Sequence, residues 1–136
     1  MNNIPDRLNI DKDDRILYEE IKLFEGKENK EKFIFAMAYG FFNNLKFPLK
    51  KKEGYILNKY LVEEDEALIY SLAIKSSGTA EILLDMQKVY EVVEEYAHAG
   101  LKLLHEETST NAEFGSFNLQ LEKKLFEEFN KNKMDE

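Results

Sequence analysis

The spacing nearest to a chemical site is Glu95-Tyr96-Ala97-His98, which sets a carboxylate and an imidazole three residues apart on one helix face. In di-iron carboxylate bundles this step supplies two metal ligands, joined by a second copy of the step and further inward glutamates from other helices. Glu91 and Glu94 stand one turn back, and His105 lies seven residues on. The chain has two histidines, both in this stretch, so a second copy of the step cannot exist within one chain. A surface or helix-dipole role for the histidines, and a solvated face with lysine partners for the carboxylates, is therefore expected. Glu91, Glu94, Glu95 and His98 are the metal candidates should that expectation fail.

Other chemistries find less. With 27 acidic residues, adjacent carboxylates arise by chance and carry no acid/base inference. Gly115-Ser116-Phe117 is one half of a nucleophile elbow, and Gly26-Lys27 resembles the tail of a phosphate loop whose leading glycine is Ile21 and whose serine or threonine is Glu28. No cysteine is present, which removes disulfides, thiolate nucleophiles and cysteine-ligated metals. The expectation is a protein that is not an enzyme and holds no cofactor.

Binding is better represented. Lys46, Lys50, Lys51, Lys52 and Lys59 against Glu53 make residues 46–60 the one basic segment of a chain whose net charge is −8. Such a run is ordinarily a solvated loop; its functional reading is an electrostatic contact with phosphate or an acidic partner, using Lys50, Lys51, Lys52 and Tyr55. The net charge opposes DNA binding unless a local patch works against it. A second route to DNA lies in the order of the first 45 residues: a short extended piece, a helix to Phe24, a Glu25-Gly26 turn and a second helix, as in a ribbon-helix-helix module. There the extended piece offers only Arg7 as a basic reader and runs into Asp11, Asp13 and Asp14, which face phosphates badly.

The elements that must position these groups are mostly helical. Ala80 to His105 keeps apolar residues at steps of three and four (Ile82, Met86, Val89, Val93, Tyr96, Ala97, Gly100, Leu101, Leu104), predicting one long amphipathic helix. Thr79 is its expected cap. Asn29 to Asn43 is apolar on nearly every side and predicts a covered helix, with Gly40 leaving room for a neighbouring backbone or ring. Asp11 to Phe24 and Glu63 to Ser77 read as two further helices, and Ser116 to Phe129, with Phe117, Leu121, Leu125 and Phe129 in one stripe, as a last one. Glu106 to Gly115 has loop composition. Leu8 and Ile10 alternate enough for a short strand, and Tyr55 to Leu61 is too short for periodicity to choose strand or helix.

At 136 residues the chain suits one domain, 1–136, with ends near 1–6 and 130–136 expected to fray. No secretory signal is visible, and the most apolar window, Phe33 to Phe42, is about half the roughly 20 residues a membrane span needs. A cytoplasmic protein with no membrane contact is expected.

Two segments carry a family resemblance. FIFAMAYGFFNNLKFPL at Phe33 to Leu49 and VVEEYAHAGLKLL at Val92 to Leu104 resemble the best-marked blocks of the small proteins encoded with DNA phosphorothioation (Dnd) systems, the system-associated protein 4 type. His98-Ala99-Gly100 stands where that family is expected to carry asparagine-glycine-glycine. The resemblance implies a cytoplasmic accessory of a defence or DNA-modification locus, with protein partners in a DNA-modification complex. It implies no reaction and no catalytic residues, since the sulphur chemistry belongs to other components.

The expected architecture is all-α or nearly so: a compact bundle of five to six helices, with Phe33 to Phe42 and Ile82 to Leu104 crossing at its centre and a short N-terminal strand. At 1.5 Å per residue the long helix would extend about 39 Å and overhang its partner. An overhanging amphipathic end predicts a homodimer. The expected function is a non-catalytic interaction protein of the DNA-modification system; the alternatives are direct DNA binding and a carboxylate-histidine metal protein.

Overall fold

The computed structural model describes residues 4–109, and within them the chain is mostly helical with one small antiparallel sheet. Strand β1 (Arg7–Asp11) leads through a 3-10 turn into helix α1 (Arg15–Glu20), and a second 3-10 turn (Lys22–Phe24) precedes α2 (Asn29–Phe42). Strand β2 (Lys52–Leu57), a third turn (Asn58–Tyr60), α3 (Glu63–Ser77), a fourth turn (Ala80–Leu84) and α4 (Met86–Ser109) complete the order.

Four α-helices are present among the described residues, where five to six were expected for the whole chain. The expected helix from Ser116 and the C-terminal end near 130–136 lie outside the described residues, as do residues 1–3, whereas the Pro5 and Asp6 carbonyls accept from the Asn58 side-chain and backbone amides at 2.8 Å each. Within them, the single helix expected from Asp11 to Phe24 is divided at Ile21, whose φ of −71° and ψ of 115° are extended. Leu23 explains the division. On a straight helix it would point away from the side that Tyr18, Ile21 and Phe24 share, whereas the break lets all four enter the core.

The long helix begins later and ends later than its apolar pattern suggests. Thr79 caps only the 3-10 turn, accepting from the Glu81 amide at 3.2 Å. Asp85 (φ −128°, ψ 88°) then interrupts the helix, and its carboxylate accepts from the Lys88 amide at 3.1 Å. Aspartate competes with the backbone inside a helix and is favoured at its start, so a polar residue overrides the apolar period here. At the far end the helix continues through Glu106 to Ser109, where loop composition predicted its end. Thr108 and Ser109 donate back to the carbonyls of Leu104 and His105, and Thr108 is buried. Twenty-four residues make α4 about 36 Å long.

The expected crossing pair is observed. α2 and α4 share the largest interface among the described elements. They meet backbone to backbone: a Cβ on Gly100 would lie 1.9 Å from the Ala36 carbonyl oxygen, and one on Gly40 would lie 2.1 Å from that of Tyr96. Around this contact Phe33, Met37, Val89, Val93, Ala97, Leu101 and Leu104 are buried to 1% exposure or less.

The sheet joins segments some 45 residues apart. Leu8 opposes Ile56 and Asn9 opposes Gly54, leaving Tyr55 as the extra residue of a bulge on β2. β1 therefore pairs with a strand of its own chain, where the ribbon-helix-helix order requires a strand from a second chain. Tyr55 to Leu61, open between strand and helix in the sequence, is strand as far as Leu57.

Candidate interaction surface and the polar seam beneath it

Asp11 ends β1 and is buried, yet none of its capacity is wasted. Its Oδ1 accepts from the Asp13 amide at 3.1 Å, and its Oδ2 accepts from the Lys50 amide at 2.8 Å and more distantly from Lys51 at 3.5 Å. The Lys12 amide adds a 2.8 Å bond to the Lys51 carbonyl. Burial alone would raise the Asp11 carboxyl, but the Lys50, Asp13 and Lys51 amides and the nearby His98 outweigh it and hold the group below its ordinary value. An ionised carboxylate thus clamps the turn before β2 onto the turn after β1.

The consequence at the surface is a basic rim. Lys12, Lys50 and Lys51 are exposed, and among the described residues none of them forms an ion pair. Exposed Asp13 lies next to Lys12 in the chain. Lys52 approaches Glu91 at 3.9 Å, and Lys46 and Lys59 lie over the rings of Tyr96 and Tyr60. Lys12 was not singled out in the sequence, because only strand pairing brings it to Lys51.

Tyr55 is occupied within the chain. Its ring stacks on Tyr18 with centroids 5.0 Å apart, the Arg15 guanidinium lies 5.3 Å above it, and its hydroxyl donates to Asn29 Oδ1 at 3.1 Å. Burial pushes that hydroxyl up to about 12. Arg15 also bonds Glu53 at 2.5 Å, while the Arg7 stem lies across Gly54, where a Cβ would meet its Cδ at 2.4 Å.

Under the rim runs a polar seam between α4 and the N-terminal segment, built from two of the four metal candidates. His98 and Glu94 are 6% and 3% exposed, not the solvated face expected of them. Their positions, four residues apart, aim both at the stretch from Asn9 to Asp14. Glu94 Oε2 accepts from the Asn9 amide at 2.7 Å. Burial pushes its carboxyl up to about 7, against the lowering effects of the Asn9 amide and Lys52. His98 Nδ1 lies 2.5 Å from Asp14 Oδ2, both side chains being buried. Asp14 Oδ1 and the Tyr18 hydroxyl are buried without a hydrogen-bond partner among the described residues.

Of the other two candidates, Glu91 shares a cleft with Glu94 and Glu95 does not line it. Glu91 lies near Lys52 beside a cleft of about 210 Å³ whose lining includes Pro5, Asn9, Tyr90 and Glu94. Glu95 is half-buried, and its carbonyl accepts from the Phe47 amide at 3.2 Å. Among the described residues no three histidines or carboxylates gather as a metal site would require. His105 lies 3.4 Å from Glu20 at the surface. Asp14 has no warning in the sequence, where it reads as one more first-turn carboxylate.

The comparisons agree with the two-block resemblance. The chain belongs to the DNA sulphur modification system-associated protein 4 family, which matches residues 7–135. No curated protein and no solved structure matches it. Membership associates the chain with a DNA sulphur modification system. No described helix is long and apolar enough to cross a membrane.

Proposed function

We propose that this protein is a non-catalytic binding component of a DNA sulphur modification system, presenting the rim of Lys12, Lys50 and Lys51 to an anionic surface of that system. The observation that carries this reading is the Asp11 clamp, which fixes the backbone under two of these lysines from a buried carboxylate. A clamped turn loses less conformational entropy on binding than a loose one, so more of each charge contact survives as affinity. Glu94 and His98 each hold the N-terminal segment to α4 through a hydrogen bond, which supports a structural rather than a catalytic role for them.

The test is complementation. Cells of a host carrying the system and lacking this protein receive either the wild type or Lys12→Glu/Lys50→Glu/Lys51→Glu, and both DNA phosphorothioate content and restriction of unmodified DNA are measured. The charge-reversed protein is expected to keep its circular dichroism spectrum and fail to restore whichever of the two is lost. Full restoration by the folded variant overturns the reading.

A further inference from the structure

The charge on the rim has a stronger implication than contact with some acidic surface. We infer that Lys12, Lys50 and Lys51 bind the phosphates of a DNA backbone, without reading its sequence; this rests on the reading above and names the anionic surface.

Three features carry it. First, the Lys12–Lys51 backbone bond and the Asp11 clamp bring Lys12, distant in the chain, beside the consecutive Lys50 and Lys51, and none of the three forms an ion pair with a described carboxylate. Flexible amines on a fixed base are what phosphate contact needs, since lysine acts as a point charge and not as a geometric fork. Second, two neighbouring groups suited to reading a base edge or stacking on a base are engaged within the chain. Tyr55 is stacked on Tyr18, and Arg15 is held by Glu53 and the Gly54 carbonyl. The three lysines, as point charges, position a duplex and do not specify a sequence. Third, the chain carries −8 overall, so a duplex is repelled by most of the surface and can approach only where this rim faces it. The contact is therefore short and oriented, and Asp13 beside Lys12 keeps it weak.

The numbers follow from counterion release. Three phosphate contacts give a slope of log affinity against log salt of about −2.7, so raising salt from about 50 to about 200 mM weakens binding roughly 40-fold. With Lys50→Ala/Lys51→Ala one contact remains, and the same change of salt weakens binding roughly 3- to 4-fold. The experiment is fluorescence anisotropy of a labelled random-sequence duplex titrated with the full chain at both salt concentrations. Lys75→Ala/Lys88→Ala, which removes exposed lysines elsewhere, serves as the control and should behave as the wild type. Two results overturn the inference: no binding at the lower salt by folded protein, or a salt slope that the Lys50/Lys51 variant leaves unchanged. Should duplex binding be absent while the charge-reversed protein still fails complementation, the anionic surface is an acidic protein; the binding role then stands and the DNA inference falls.

Discussion

On one side of α4, Gly100 and Tyr96 meet Ala36 and Gly40 of α2 with backbone against backbone; on another, Glu94 and His98 reach across to the N-terminal segment through single polar bonds. The first contact excludes side chains and gains from close dispersion and apolar burial along two helices. The second gains from charge-assisted hydrogen bonds and must offset the desolvation of three carboxyl groups, Asp11, Asp14 and Glu94, and one imidazole. The apolar contact is indifferent to pH and intolerant of any added atom. The polar seam tolerates some change of volume and depends on which groups are ionised. One helix thus packs closely against α2 and holds the N-terminal segment by polar bonds, one of them through the titratable Glu94.

The most damaging test of the apolar side is Gly100→Ala. Alanine would gain up to about 1 kcal/mol of helix propensity. Its Cβ, however, would stand 1.9 Å from the Ala36 carbonyl oxygen and 2.6 Å from the Gly40 nitrogen, both backbone atoms that cannot rotate away. Overpacking wins, and we expect a net loss of about 3 to 4 kcal/mol, read as a lower urea midpoint. A midpoint equal to or above that of the wild type would show that the helices can slide apart at little cost.

Next in size is Asp14→Ala, which leaves His98 buried without its partner while relieving the unbonded Asp14 Oδ1. The loss of the buried bond should dominate, at about 2 to 3 kcal/mol. Hydrogen exchange should locate the loosening in residues 7–15 and leave the α2–α4 crossing protected. Equal loosening of both regions would erase the contrast between them.

The smallest effect separates the two sides by pH. The Glu94 carboxyl sits at about 7 in the folded protein against an ordinary 4.5, so the folded state holds its proton where the unfolded chain has lost it. The stability this confers is fully present below pH 4.5 and is lost as pH rises through 7. Asp11, held below its ordinary value, acts in the opposite sense, and its contribution disappears only on acidification. Between about pH 5 and 8 the wild type should therefore lose stability relative to Glu94→Gln by on the order of 2 kcal/mol. Parallel pH profiles for the two proteins would remove Glu94 as the titrating link.

Local chemistry alone was enough for much of the frame. The apolar run from Phe33 to Phe42, the acidic start and glycine end of Glu63 to Ser77, and the small residues Gly40, Ala97 and Gly100 mark helices and a close crossing, because periodicity and steric bulk belong to residues and need no partner to be read. The basic segment at Lys46 to Lys59 is equally plain as charge. Tertiary structure decided the rest. It cut the first helix at Ile21 and restarted the long one after Asp85, where capping and core entry outweigh period. It also paired β1 with β2, carried Lys12 to Lys51 and buried Glu94, His98, Asp11 and Asp14. A carboxylate's spacing in the chain says which face it occupies but not whether that face is covered; only the arrival of a distant segment removes the water, and with it the freedom to remain an ordinary surface charge.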